Sequence, residues 1–285
     1  MSDQNAKQSL DACRIAGLPP DFYYIPNFIS AEEEASILQK VHINQQSTHL
    51  FQLPFNTTIN PTPSPKPTLL TPHPQISPHR WTPLTHRRLQ AHPSPLTSSN
   101  TLLASPLPAY LIHPIIPRFN DLGIFTATPH AQPNHVLVNE YRPGEGIMPH
   151  EDGGAYADVV ATVSLGGGCC LDVLPKGSCA EEESRVEGKY VVPTRIFQEA
   201  RSLLITTGDA YRDLMHGIAA IEVDENLNSD TVANWGLLGD RCREGIEGEG
   251  GKSVRATRIS LTYRDVVKVS LAASRILGGG GLGRK

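Results

Sequence analysis

A histidine, an aspartate and a second, distant histidine have the spacing of a metal site. His150 and Asp152 lie two positions apart, and His216 follows 64 residues after the aspartate. In an extended segment, residues two positions apart project to the same side. Two imidazoles and one carboxylate can occupy one face of an octahedron and leave the other open, which is the ligand set of non-haem Fe(II) centres that activate oxygen. Because the chain has 11 histidines, a loop histidine beside a surface aspartate is the alternative interpretation.

A segment with an arginine at each end provides a second group of candidate residues. Strict alternation places Arg258, Ser260, Thr262 and Arg264 on one face of a strand, and Ile259, Leu261 and Tyr263 on the other. Arginines on a strand that is otherwise built to be buried need anionic partners, since burying an unpaired charge is costly. A dicarboxylate supplies such partners, and arginine suits bidentate carboxylate recognition. An edge strand with solvated arginines is the alternative.

A third group precedes the first histidine. Asn139 and Tyr141 share one face of the segment that leads into the turn before His150. An amide and a phenol at this spacing can hydrogen-bond a carboxylate and a keto oxygen beside a metal. Taken alone, the same pair is also typical of a sheet amide and a half-buried tyrosine.

These groups must be positioned by short strands that Gly/Pro turns separate. Such a pattern of strands and turns favours an antiparallel sandwich or barrel. The predicted strands are Phe22–Ile29, His135–Tyr141, Asp158–Leu165, Cys169–Val173, Ser202–Thr207 and Ile259–Arg264. A capping box formed by Ser30 and Glu33 predicts a helix near residues 31–41. Loops are predicted at Ala180–Glu187 and Gly245–Lys252.

Composition excludes several classes of protein. The chain of 285 residues has a formal net charge of −4, so it is not a globally basic nucleic-acid binder. No apolar stretch is long enough to span a membrane, and the first residues do not form a secretory signal. Five cysteines without C-x-x-C spacing argue against a disulfide framework or a structural zinc site. We therefore expect a protein of the nucleus and/or cytoplasm.

The composition changes sharply within the N-terminal half. From Ala35 through Asn120 the sequence contains no Asp or Glu, while it contains several arginines and histidines. Within this span, residues 43–79 are proline-rich and of low complexity, and we interpret them as an insertion outside the packed core. The local basic character favours an anionic partner such as single-stranded nucleic acid over a peptide.

The order of the three groups along the chain resembles the AlkB-like family of Fe(II)/2-oxoglutarate dioxygenases. The amino-acid sequence around these groups resembles that of the family's sixth eukaryotic homolog subfamily. The similar segments are residues 134–141, 143–153, 214–220 and 258–264. The resemblance covers roughly residues 20–42 and 80–275 and leaves the proline-rich insertion and the tail unmatched.

The resemblance implies a mainly β (α+β) fold, a double-stranded β-helix (jelly-roll) barrel with flanking N-terminal helices. It implies Fe(II) as the metal, held by His150, Asp152 and His216, with 2-oxoglutarate and O₂ as cosubstrates. Arg258 is implied to bind the distal 2-oxoglutarate carboxylate and Arg264 the metal-proximal end. The remaining implied cosubstrate contacts are Asn139, Tyr141 and Ser260.

One segment on the substrate side departs from the family pattern. Residues 81–90 are similar to the subfamily's substrate-side segment, but Ala91-His92-Pro93 replaces the expected Trp-Gly. Trp81, Arg87 and Arg88 are candidates for stacking on bases and pairing with phosphates. Core packing and a solvated basic turn are the alternatives for these three residues.

We expect the chain to have five parts: residues 1–42 as a strand and helix packed on the barrel, 43–79 as the insertion, 80–134 as a substrate-side lid region, 135–275 as the dioxygenase core, and 276–285 as a disordered Gly-rich tail. We expect a monomer that dealkylates nucleic-acid bases oxidatively. A binding barrel with little turnover and a dioxygenase of protein side chains remain alternatives.

Overall fold

The structure, a computed structural model, describes residues 10–19, 21–49, 81–176 and 194–270. Most of the proline-rich insertion, the acidic loop Ala180–Glu187 and the Gly-rich tail lie outside the described residues. Within the described ranges, no helix has both the length and the apolar character needed to cross a membrane.

Fifteen strands and five α-helices make up the described fold. The strands are β1 (Phe22–Ile25), β2 (Thr82–Leu84), β3 (Arg87–His92), β4 (Leu102–Leu103), β5 (His135–Tyr141), β6 (Ile147–His150), β7 (Tyr156–Leu165), β8 (Cys169–Pro175), β9 (Thr194–Gln198), β10 (Leu203–Thr207), β11 (Leu214–Ile218), β12 (Val223–Asp224), β13 (Ser253–Val254), β14 (Arg258–Val266) and β15 (Val269–Ser270). The helices are α1 (Ala31–His49), α2 (Ala109–Ile112), α3 (Ile115–Asp121), α4 (Gly208–Asp213) and α5 (Asp240–Gly248).

Two antiparallel sheets form the jelly-roll core that the sequence predicts. The larger sheet has seven strands in the order β1-β10-β7-β14-β5-β3-β2, and the smaller has four in the order β6-β11-β8-β9. Side chains from both sheets line one internal cavity. Strand β14 is central in the larger sheet, between β5 and β7, so its inward side chains lie in the middle of the cavity wall.

The two faces of the larger sheet have different partners, as the alternation in β14 predicts. Its outward residues Ile259, Leu261 and Tyr263 are at most 1% exposed and pack in a cluster with the residues of α1, α2 and α3. The Tyr263 hydroxyl donates a 2.8 Å hydrogen bond to the carbonyl of Leu111 in α2. The inward residues of the same strand face the cavity instead. Helices therefore cover one side of the sheet, and the other side is left for binding.

Helix α1 begins at the predicted capping box and ends later than predicted. The Ser30 N–H donates to Glu33 Oε2 (2.8 Å), and the Glu33 N–H donates to Ser30 Oγ (3.2 Å). Glu33 also accepts from Arg118 of α3, which ties the helix start to the outer layer. The helix continues to His49 instead of ending near residue 41, because no Gly or Pro interrupts this stretch.

The prediction of a loop at Gly245–Lys252 is wrong for the first half of this segment. Helix α5 runs through Gly248, and only the residues after it form turn and loop. The buried side chain of Ile246 anchors the helix, and the Glu199 carboxylate accepts the N–H of Gly239 at the helix start (2.9 Å). This tertiary packing offsets the low helix propensity of glycine. Strand β1 is also shorter than predicted, because the backbone turns at Asn27 (φ 48°).

Candidate active site

The three residues of the predicted metal site lie together at one end of the cavity. His150 ends β6 and pairs in register with His216 of β11, while Asp152 follows β6 in an irregular segment. One potential ligand atom from each residue lies within 4.8 Å of the others, and the two imidazole ring centres are 4.4 Å apart. This donor set of two imidazoles and one carboxylate fits a divalent iron ion.

Both imidazoles are held in a form that can ligate a metal. Burial lowers the pKa of His216 to about 4, so this ring is neutral at neutral pH. The Nδ1 of His150 lies 2.9 Å from the carbonyl oxygen of Met148. Because a carbonyl can only accept, this nitrogen carries the proton, and Nε2 keeps its lone pair for a metal.

Arg264 connects the metal site to the larger sheet. Its guanidinium donates to Asp152 Oδ1, and both side chains are at most 8% exposed. The guanidinium also lies over the ring of Tyr156, 4.9 Å from its centre. Among the described residues, Arg264 Nε is buried without an acceptor. Arg264 thus orients the aspartate and keeps one further N–H available beside the metal site.

An aromatic pair, formed by the buried His135 and the half-buried Tyr156, packs beside Arg264. Tyr156 stacks on His135 with ring centres 6.0 Å apart. His135 is 1% exposed, its Nε2 lies 3.1 Å from the carbonyl oxygen of Ser94, and burial lowers its pKa to about 4. The neutral imidazole adds no positive charge behind the guanidinium. Sequence reasoning missed both aromatic residues, although His135 lies opposite Arg264 in register, which the predicted strands could have indicated.

Arg258 lies at the other end of the inward face of β14. It is 3% exposed and donates to Ser164 Oγ (2.9 Å) and to Gln198 Oε1 (3.1 Å). Its guanidinium carbon is 5.8 Å from the ring centre of Tyr141, whose phenol pKa is raised by burial. Both hydrogen-bond partners of Arg258 are neutral, so this charge fits an anionic ligand. Ser164 and Gln198 are further site residues that sequence reasoning missed.

The cavity has a volume of about 140 Å³ and brings most of the predicted site residues together. Its polar lining includes His150, Asp152, His216, Asn139, Tyr141, Arg258, Ser260, Thr262 and Arg264. Apolar side chains from both sheets, such as Leu137, Ile147 and Leu204, fill the wall between these groups. The metal residues and the arginine-bearing strand therefore face the same space.

The three predicted substrate-side residues separate in the structure. Arg87 lines the cavity, whereas neither Trp81 nor Arg88 does. Arg88 pairs with the buried Glu140 (2.7 Å), and its guanidinium lies 4.4 Å from the centre of the Trp81 ring. Trp81 packs against the cluster on the outward face of the sheet. Arg87 and Arg88 are neighbours on one strand, so their side chains project to opposite faces.

Comparisons with known proteins agree with this geometry. Residues 21–264 match the model of the 2OG-Fe(II) oxygenase superfamily. The chain is 34% identical over 262 residues to a Danio rerio protein named "Probable RNA/DNA demethylase ALKBH6", covering 91% of each chain. It is 33% identical over 141 residues to the Xenopus tropicalis "tRNA (carboxymethyluridine(34)-5-O)-methyltransferase alkbh8", covering 47% of this chain and 18% of that protein.

A solved structure, "The structure of OsALKBH1", aligns with 87% of this chain and 99% of its own, at 16% identity and a TM-score of 0.41. The family match spans both sheets, the His-Asp-His cluster and β14, and the family uses Fe(II) and 2-oxoglutarate. The chain therefore belongs to the 2OG-Fe(II) oxygenase superfamily, as an AlkB-like oxidoreductase.

Proposed function

We propose that this enzyme removes methyl groups oxidatively from alkylated bases in nucleic acid. One observation carries the proposal: the potential ligand atoms of the His-Asp-His cluster lie within 4.8 Å of one another in a cavity that also contains Arg258. The likeness to a relative named as a probable RNA/DNA demethylase, over 91% of both chains, supports the choice of substrate.

The iron would be held by His150, Asp152 and His216. The surroundings of each residue fix its orientation or its charge state. The carbonyl of Met148 orients His150, the guanidinium of Arg264 orients Asp152, and burial keeps His216 neutral. When bound, Fe(II) supplies O₂ activation and couples the decarboxylation of 2-oxoglutarate to succinate with the oxidation of a substrate C–H bond.

The remaining polar residues of the cavity would bind and orient 2-oxoglutarate. Arg258 would pair with the distal carboxylate, since its present partners are neutral and its planar fork suits a carboxylate. The free Nε of Arg264 would donate to the metal-proximal end. Asn139, Tyr141 and Ser260 line the same wall and would complete the contacts. The phenol pKa of Tyr141 is raised by burial, so this hydroxyl stays protonated and can donate.

The apolar part of the wall would exclude water from the reacting groups. Removing water strengthens the hydrogen bonds that hold the cosubstrate. Hydroxylation of an N-linked methyl group gives an N-hydroxymethyl product, which breaks down to formaldehyde and the unmodified amine. The chain's own contribution is to position both substrates, and the cofactor performs the oxidation.

The test is turnover with matched methylated and unmethylated oligonucleotides. Wild-type protein with Fe(II), ascorbate and 2-oxoglutarate should form succinate, and a methylated single-stranded DNA or RNA should yield formaldehyde in addition. The His150→Ala variant should form neither product. Formaldehyde release from methylated peptides, with none from any methylated oligonucleotide, would contradict the proposed substrate. Equal succinate formation by the variant would contradict the proposed metal site.

A further inference from the structure

The cavity contains more positive than negative side chains. Among its described lining residues, Arg87, Arg258 and Arg264 are guanidinium groups, and Asp152 is the one carboxylate. Arg264 already pairs with Asp152. In the part of the chain that the structure describes, Arg87 and Arg258 form no ion pair. Two unbalanced guanidinium groups in a shared cavity favour an anionic ligand between them.

Strand pairing places Arg87 and Arg258 on either side of one tyrosine. Arg88 lies opposite Glu140, so Arg87 lies beside Tyr141, the last residue of β5. On the other side of β5, Tyr141 lies opposite Arg258. Neighbouring side chains on one face of a sheet are within contact distance of each other. Arg87, Tyr141 and Arg258 thus form one row across three adjacent strands.

The Arg87 side chain has no hydrogen-bond or ion-pair partner among the described residues, and its backbone belongs to an ordered strand. It is half-buried, and its Nε is buried without an acceptor among the described residues. The carbonyl of His86 accepts the N–H of Gly146 (3.2 Å), which fixes the turn before Arg87 against the turn after β5. A buried donor without an acceptor is unfavourable, so a ligand that supplies one is favoured at this position.

The row lies at the end of the cavity opposite the metal cluster. On β14, Arg258 is six positions before Arg264, the residue that contacts Asp152. An extended cosubstrate that meets the metal with one end therefore reaches the row with its other end. For 2-oxoglutarate that end is the distal carboxylate.

We propose that Arg87 is a second guanidinium for the distal carboxylate of 2-oxoglutarate and selects dicarboxylic over monocarboxylic 2-oxo acids. The assignment rests on the proposed function of the cavity. A carboxylate has two oxygens with about four acceptor positions, so it can accept from Arg87, Arg258 and the Tyr141 hydroxyl together. Arg87 is then a binding residue for the cosubstrate, and its loss affects only ligands with that carboxylate.

The experiment compares two ligands on two variants. Anaerobic Fe(II)-loaded protein is titrated with 2-oxoglutarate and with 2-oxopentanoate, in which a methyl group replaces the distal carboxylate. Arg87→Gln should raise the dissociation constant of 2-oxoglutarate by about 10- to 100-fold, the range for charge-assisted hydrogen bonds. The same variant should change the dissociation constant of 2-oxopentanoate by less than about 2-fold. Arg87→Lys, which keeps the charge, should recover part of the loss.

Arg142→Gln is the matched control, because it removes the same charge from the next residue after Tyr141. Arg142 is largely exposed, lies outside the cavity lining and contacts Glu140 only at 3.7 Å. This variant should bind both ligands like wild type. If Arg87→Gln does not fold, the ratio of the two affinities in Arg87→Lys gives the same comparison.

Two results would overturn the assignment while leaving the proposed function intact. One is wild-type affinity for 2-oxoglutarate in Arg87→Gln, and the other is an equal loss for both ligands. Failure of the wild-type protein itself to bind 2-oxoglutarate would instead overturn the proposed function, and this inference with it.

Discussion

Two of the proposed metal ligands should differ in what their removal does to the metal-free fold. Asp152 and Arg264 form a buried pair, whereas the contact of His150 with Met148 is at the surface. Removing one partner of a buried ion pair typically costs roughly 3–5 kcal/mol, because the other charge stays buried and unpaired. At about 2–4 °C per kcal/mol for a chain of this size class, Asp152→Ala should lower the melting temperature by about 6–20 °C.

The assay combines thermal and urea unfolding in the presence of a chelator with succinate formation in the presence of Fe(II). Both Asp152→Ala and His150→Ala should abolish Fe(II)-dependent succinate formation. The Asp152 variant alone should lose stability, and His150→Ala should stay within about 1 kcal/mol of wild type. Adding Arg264→Met to Asp152→Ala should recover stability, since the unpaired charge is then removed.

The reasoning would be refuted by equal stability of Asp152→Ala and wild type in the chelator. It would also be refuted if the double variant were less stable than Asp152→Ala by the full cost of a second, independent substitution. Either result would mean that Arg264 and Asp152 do not interact in the metal-free protein.

Three further outcomes are expected. Arg258→Lys keeps the charge but loses the planar fork, so 2-oxoglutarate should bind about 10-fold more weakly or worse; unchanged affinity in the anaerobic titration would exclude Arg258 from carboxylate binding. Because burial lowers the pKa of His135 from 6.5 to about 4, the unfolded state binds the proton first as the pH falls. Urea unfolding should therefore show a loss of about 3 kcal/mol from His135 between pH 6.5 and 4, beside the loss from His216, and the total loss should be smaller by about this amount in His135→Gln. Asp224→Asn should destabilise the fold by about 3–5 kcal/mol, because it breaks a buried pair with Arg255, yet leave cosubstrate affinity per folded molecule unchanged in the same titration.

Sequence reasoning correctly placed the residues of several regular strands and the capping box at the start of α1. The predicted strand His135–Tyr141 has the observed bounds, and the alternation in β14 gave the correct inward and outward faces. Period-two patterning fixes orientation wherever one face of a sheet is buried, so these positions follow from local sequence.

Contacts between distant segments could not be derived in this way. Gln198 reaches Arg258 because β9 belongs to the opposite sheet, and no local pattern encodes that approach. Helix α5 forms despite its glycines because Ile246 is buried by packing from elsewhere. The separation of Arg87 from Arg88 follows from strand geometry, since adjacent residues on a strand face opposite sides, but no strand was predicted over these residues.

The most direct test of the central claim is an anaerobic spectroscopic titration of the full chain with Fe(II) and 2-oxoglutarate. A keto acid that chelates protein-bound Fe(II) gives a metal-to-ligand charge-transfer band in the visible region. We expect this band only when both components are present, and its loss in His150→Ala. A spectrum unchanged by 2-oxoglutarate, or an equal band in the variant, would contradict the assignment of the His-Asp-His cluster as the iron site.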